Sequence, residues 1–173
     1  MLKFMETKPE LFYFKDDGNI PNSKLPLAVY RNAFSERQNA GASWLEKIFE
    51  SNNWTNGWRN GIFRFHHYHS TSHEVLGIYA GDALLHLGGE KGEKVQVTAG
   101  DIIIIPAGVG HKNIESTKDF AVVGAYPDGM DYDLLRGEPA ERPQADHNIT
   151  KVPIPESDPL LGKHKGISRI WGA

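Results

Sequence analysis

The sequence predicts a mainly β protein built on one small barrel. Three observations predict it. Between residues 61 and 126 short apolar runs follow one another, separated by turn residues at regular spacing, as in a sandwich or barrel. Ile102 to Ile105 is a continuous apolar run, as a strand buried on both faces requires. His67 and His69 stand two apart, which on a strand turns both rings to one face.

The elements follow in chain order. Residues 1–60 read as an N-terminal strand-and-helix extension. Leu11 to Phe14 and Leu27 to Tyr30 are short strands, with Asp16-Asp17-Gly18-Asn19 and Pro21-Asn22-Ser23 as turn chemistry between them. Ser43-Trp44-Leu45-Glu46 reads as a capping box opening a helix, with Leu45, Ile48 and Phe49 on one face and Asn52-Asn53 at its end. Trp44, Trp54 and Trp58 read as packing anchors around that helix. Residues 61–126 carry the barrel core: Ile62 to His69, Glu74 to Ala80, Ala83 to Leu87, Val95 to Val97, Asp101 to Ile105, His111 to Ile114 and Phe120 to Tyr126. Residues 127–173 are rich in Pro, Gly and charge but keep Leu134, Leu135, Leu160, Leu161, Ile167 and Trp171. They read as an irregular tail wrapping the barrel or a partner subunit, all within one structural domain.

Composition bounds the function. The 173 residues carry no cysteine, which removes disulfides, thiolate ligands and a cysteine nucleophile, and fits a reducing cytoplasm. Net charge is -3, from 19 basic and 22 acidic residues, with no basic stripe to suggest nucleic acid. Met1-Leu2-Lys3-Phe4-Met5-Glu6 has no apolar core of signal-peptide length, and no apolar run suits a membrane helix. The expected setting is cytoplasmic, with a small molecule or a second subunit as partner.

The chemistry gathers on four residues. Five positions after His69, a hairpin through Ser70-Thr71-Ser72 can return the chain with Glu74 beside the histidine pair. His111 follows the tight Pro106-Ala107-Gly108 turn. Three imidazoles and a carboxylate inside a barrel suit a divalent transition metal: iron, manganese, nickel, cobalt or zinc. Six-coordinate geometry would leave two positions open for water, dioxygen or substrate.

At these residues the chain resembles the cupins. Gly61, His67, His69, Glu74 and Gly81 match the first cupin motif at every spacing. Gly100, Pro106, Gly108 and His111 match the second, whose closing asparagine is replaced by Glu115, with Asn113 the nearest asparagine. That asparagine is not a metal ligand in the family, so the departure leaves the implied site intact. The resemblance extends to the YjlB-like group of small bacterial cupins through Trp58-Arg59-Asn60-Gly61, His66 to Thr71, His73 to Gly77, Pro106 to His111, Val123 to Pro127 and Asp158 to Gly162. It implies a single double-stranded β-helix, or jelly-roll, barrel and metal ligands at His67, His69, Glu74 and His111. It also implies pairing of barrels into a homodimer.

Other residues are placed by alternation. His66 and Tyr68 take the face opposite His67, and His147 and His164 read as solvated. His73 reads as structural, with a donor behind the ligands or an alternative ligand as the other readings, while His86 has no fixed face. Both, with Tyr126, are the candidates for proton transfer. Phe63, Phe65, Leu76, Ile78, Ile104 and Tyr126 are the expected pocket walls. The expected function is metal-dependent catalysis on a small organic molecule, as a dioxygenase, isomerase or decarboxylase. A non-catalytic cupin that binds a small molecule is the alternative.

Overall fold

The computed structural model describes residues 8–173, so the Met1–Glu6 reading lies outside the described residues. The chain runs β1 (Glu10–Phe14), β2 (Ser23–Tyr30), α1 (Gln38–Ser51), β3 (Trp54–Asn60), β4 (Glu74–Ala80), β5 (Asp82–Leu87), β6 (Glu93–Thr98), β7 (Ile102–Ile105), β8 (His111–Ser116) and β9 (Ala121–Pro127). The remainder holds a 3-10 turn at Pro139–Glu141, α2 (Gln144–Lys151), a short β10–β11 pair (Ser157–Asp158, Gly162–Lys163) and α3 (Gly166–Gly172). No helix among the described residues is long and apolar enough to cross a membrane.

Six strands form one antiparallel sheet in the order β1-β2-β7-β4-β9-β3, and three form a second in the order β6-β5-β8. The fold is a jelly roll of the double-stranded β-helix kind. Alternation divides the core in two. Leu27, Val29, Leu76, Ile78, Ile103 and Ile105 of the large sheet meet Leu85, Leu87, Val95 and Val97 of the small one. Their neighbours Ala28, Tyr30, Val75, Ile102 and Ile104 face the other way and pack under α1 and the C-terminal segment. The run Ile102–Ile105 is apolar throughout because both faces of β7 are covered.

Helix α1 lies close on the large sheet because Gly77 has no side chain. A Cβ there would stand 2.5 Å from Leu45 Cδ2. The helix begins five residues before the expected capping box. Its N-cap is Arg37, with no side-chain cap. Glu46 instead pairs with Arg59 of β3, at 2.7 and 3.0 Å. Burial of Ala42, Leu45 and Phe49 sets the helix limits, and tertiary packing overrides the local signal.

Two further expectations change. Residues 62–69 form no regular strand: they cross the mouth of the barrel and pair only through isolated bridges, His67 with His111 and Tyr68 with Leu135. Strand β3 was not expected. It pairs with β9, but Asn56 at φ 58° and a register shift between Thr55 and Trp58 break its alternation.

The tail is more regular than expected, and it is tied down. Asp158 is fully buried and accepts four hydrogen bonds: from Tyr30 Oη at 2.7 Å and from the N–H groups of Leu160, Leu161 and Ile167. Trp54 Nε1 donates to Ser157 O, and Trp171 Nε1 to Pro26 O. Leu160, Ile167 and Trp171 thereby join the core under the large sheet. Asp158→Ala leaves four buried donors unpaired and is expected to lower stability by roughly 3 kcal/mol or more, against about 1 for Tyr30→Phe. Urea unfolding reads both, and protease cleavage between residues 153 and 173 should rise in the first variant only.

Candidate metal centre

The centre is built where three segments meet at one end of the two sheets. Strand β4 supplies Glu74 as its first residue, and β8 supplies His111 as its first. The crossing segment supplies His67 and His69. It is clipped to the β8 start by a reciprocal pair, His67 N to His111 O and His111 N to His67 O, at 3.2 and 2.9 Å. Gly108 N donates to His69 O, so the Pro106 turn holds the same segment one step further along.

The imidazole nitrogens of His67, His69 and His111 lie within 4.8 Å of one another, and all three residues are buried. Each ring is aimed by a backbone carbonyl. His67 Nδ1 meets Phe65 O at 3.0 Å, His69 Nδ1 meets Asp133 O at 2.5 Å and His111 Nδ1 meets Val109 O at 3.1 Å. A carbonyl can only accept, so each Nδ1 carries the proton and, in the neutral ring, each Nε2 keeps a lone pair. Among the described residues nothing takes up that of His111: its Nε2 is buried and has no hydrogen bond.

Glu74 stands beside two of the three rings, its Oε1 at 3.3 Å from His111 Nε2 and 3.5 Å from His69 Nε2. His111 Nε2 forms no hydrogen bond there. The other oxygen, Oε2, accepts from Tyr126 Oη at 2.9 Å, and Trp58 Nε1 donates to Tyr126 Oη in turn. Trp58 reaches this position because Gly124 lies beneath it: a Cβ there would be 2.3 Å from the indole.

Electrostatics follows from burial. Burial works to raise the Glu74 carboxyl, but His69 and His111 outweigh it and hold the group below the usual carboxylate range. Burial works to lower His69, yet Glu74 outweighs it and the ring is raised. His67 lies further from the carboxylate, and burial, assisted by His111, lowers it strongly. Burial and the Glu74 charge together push the Tyr126 phenol up. Three neutral nitrogen donors and one ionised oxygen donor, with a buried nitrogen lacking any partner, fit a divalent transition metal.

Above these residues opens a cavity of about 530 Å³. Phe63, Leu76 and Tyr126 line it as expected. Phe65 does not: it stacks on Phe63 at 4.8 Å and lies under the Arg136 guanidinium. Ile78 sits deeper between the sheets, and Ile104 has the opposite parity and faces α1. Trp58, expected as a packing anchor, is a wall, as are Tyr132 and Leu134 from the tail. Tyr132 stacks on Tyr126 with centroids 4.2 Å apart. Asp133 is the neighbouring support: besides its carbonyl on His69, its carboxylate accepts from Ser70 N and Ser70 Oγ. No periodicity in the sequence marks Tyr132 or Asp133; only the apolar content of the tail hints at a wrapping role.

The remaining histidines are placed elsewhere. His73 faces away from the cavity, with Nδ1 accepting from Ala107 N, Nε2 at Pro153 O and its ring against Trp171. It supports the turn leading to His111 rather than touching the cavity, and burial lowers it to about 4. His86 points from β5 to the outer side of the small sheet, where it meets His66. Tyr68 faces away from the cavity, yet it is fully buried, beneath Leu135 and Ala145.

Comparison with known proteins agrees with this geometry. A cupin-domain model matches residues 60–123. The chain is 42% identical over 168 residues to "Uncharacterized protein YjlB" of Bacillus subtilis (strain 168), covering 96% of this chain and 99% of that one. Among solved structures it is similar to an acireductone dioxygenase from Bacillus anthracis with a cadmium ion in its active centre, at TM-score 0.40 and 15% identity over 54% of this chain and 64% of that one. A predicted oxalate decarboxylase from Thermotoga maritima gives TM-score 0.35 and 18% identity over 72% and 95%. Neither structural likeness is close enough to carry an argument. Near full-length identity, and the motif residues standing at the mouth of a jelly roll, place the chain in the cupin family, with the small cupin YjlB.

Proposed function

We propose that this cupin is a metal-dependent enzyme acting on a small, largely apolar organic molecule, with His67, His69, Glu74 and His111 holding one divalent transition metal. The observation that carries the reading is the set of three buried imidazoles, each with Nδ1 committed to a backbone carbonyl, with the Nε2 atoms of His69 and His111 beside a buried carboxylate and that of His111 without a hydrogen bond. Burying that set without a cation or full hydrogen bonding is costly. When bound, the metal supplies Lewis-acid polarisation of substrate oxygens or, if redox-active, electron transfer.

The chain's own residues do the rest. Trp58 and Tyr126 fix the Glu74 carboxylate through consecutive hydrogen bonds. Of the candidates for proton transfer, Tyr126 alone reaches the cavity, and burial together with the charge of Glu74 favours its protonated phenol. The cavity is of small-molecule size, and among the described residues no lysine or arginine lines it. Substrate therefore binds against Trp58, Phe63, Leu76 and the Tyr126–Tyr132 stack, without a cationic side chain as anchor. Dioxygenation, isomerisation and decarboxylation are the reaction classes this arrangement serves.

The protein is also proposed to form a homodimer. Strand β1 is an edge of the large sheet, and Leu11 and Tyr13 on it are exposed. Edge strands are commonly protected by pairing.

Four outcomes check these readings. His67→Ala with His69→Ala should remove one equivalent of metal per chain by elemental analysis; retention of the wild-type content sinks the site. Asp133→Ala should weaken metal affinity about 10- to 100-fold in chelator competition, because it frees the support of His69. Light scattering on the eluting protein at micromolar concentration should give twice the chain mass, and a monomer would count against the dimer. Turnover of a neutral metabolite by the metal-loaded protein, lost in the paired alanine variant, separates an enzyme from a binding protein.

A further inference from the structure

On the outer side of the small sheet, away from the cavity, three more metal-ligating side chains meet. The ligand atoms of His66, His86 and Glu90 lie within 4.8 Å of one another. His66 Nε2 is 2.7 Å from Glu90 Oε1, and the two imidazole rings have centroids 4.9 Å apart. Three separate pieces of chain supply them: the crossing segment, β5 and the β5–β6 turn.

Alternation explains why they meet. Leu85 and Leu87 of β5 point into the core between the sheets, so His86 points out. His66 takes the face opposite His67. Glu90 sits in the glycine turn Gly88 to Gly92, which is closed by Gly92 N on Gly89 O.

His66 is only half satisfied, through Nε2 on Glu90. His66 Nδ1 is buried without a hydrogen-bond partner. His86 is 7% exposed, and its ring nitrogens make no hydrogen bond among the described residues. A buried polar atom without a partner is costly, and at this cluster that cost falls on His66 Nδ1. Glu90, by contrast, is largely exposed and free to turn. Lys94 and Lys112 stand across from His86 on β6 and β8. Their charges oppose a cation, so the affinity here is below that of the cavity set.

We propose that His66, His86 and Glu90 form a second divalent-cation site, one that ties the rim of the cavity to the β5–β6 turn. Two imidazoles and one carboxylate suit zinc, nickel or cobalt, with water completing the shell on the exposed side. The rim needs such a tie. Between residues 61 and 66 one backbone hydrogen bond, Asn113 N to Phe63 O, holds the segment to the sheets. Phe63 and Ile62, which line the cavity, are on that stretch. The proposal rests on this outer cluster and stands whether or not the cavity set binds metal.

The test is a titration of tag-free, chelator-stripped protein with Zn²⁺ alone, followed by calorimetry and thermal unfolding. The wild-type chain is expected to show a weaker class of site beside the cavity site. His86→Ala and Glu90→Gln should each weaken that class at least tenfold and leave the tighter class in place. The His67→Ala/His69→Ala protein should keep the weaker class and still gain thermal stability from Zn²⁺, a gain removed by adding His86→Ala. A single class in the wild type that His86→Ala does not alter overturns the proposal, as does a weaker class that survives both outer substitutions. A tighter class left unchanged in the His67→Ala/His69→Ala protein, with the weaker class still removed by His86→Ala, would sink only the cavity reading.

Discussion

A carboxylate cut off from water at Glu74 is the constraint around which the mouth of this barrel is built. Burying such a charge is tolerated only with partners on every side. Each partner then imposes its own demand. Tyr126 must donate to Glu74, so Trp58 must hold Tyr126, so residue 124 must lack a side chain for the indole to lie flat. His69 and His111 must stand on the other oxygen, which places the crossing segment and the start of β8 within one hydrogen-bonded pair of each other. The charge on Glu74 therefore explains more of the local structure than any single apolar contact does. The lowered carboxyl at Glu74 and the raised ring at His69 are two views of that one demand for positive charge.

The second constraint is orientation, and it makes the tail part of the site. An imidazole presents Nε2 reliably only if Nδ1 is committed elsewhere. Here the three commitments come from Phe65, Val109 and Asp133: the crossing segment, the turn before β8 and the tail. The last of these depends on a tail that stays docked. Asp158, receiving the Tyr30 hydroxyl and three backbone donors, provides much of that docking, and Trp54 and Trp171 add hydrogen bonds from within the core. Core packing beneath the large sheet is thus linked to ring orientation at the open end. That is why residues 127–173 cannot be treated as an appendage to a barrel ending at residue 126.

How much of this was legible in the sequence depended on whether period-2 alternation held. It held on β4 and β7, so Glu74, Leu76 and the Ile102–Ile105 run were readable. The two histidines and the Pro106 turn stood at a spacing that named the family outright. It failed where the backbone departs from a regular strand. A bulge at Asn56 hid β3, and with it the role of Trp58. The crossing segment kept the parity of His67 and His69 while forming no strand, so the site was legible through an element that does not exist. The start of α1 was misread because Ser43 and Glu46 look like a cap, whereas burial of Ala42, Leu45 and Phe49 decides the matter. Tyr132 and Asp133 were invisible because long-range docking, with no local pattern, brings them to the site.

Alternation along the crossing segment has a last consequence. If His67 and His69 turn inward, His66 must turn outward, as alternation in the sequence predicts. Yet His66 and His67 share a peptide unit, so anything that fixes one ring outside also restricts the backbone dihedrals that aim the other inside. A segment with few backbone ties loses conformational freedom when it orders, and that loss otherwise falls on ligand binding. An outer partner for His66 removes part of it in advance, before Phe63 and Ile62 close on a ligand. The two histidine clusters are then two faces of one ordering problem. The weakly tied rim between residues 61 and 66 is where the fold alone leaves that problem unsolved.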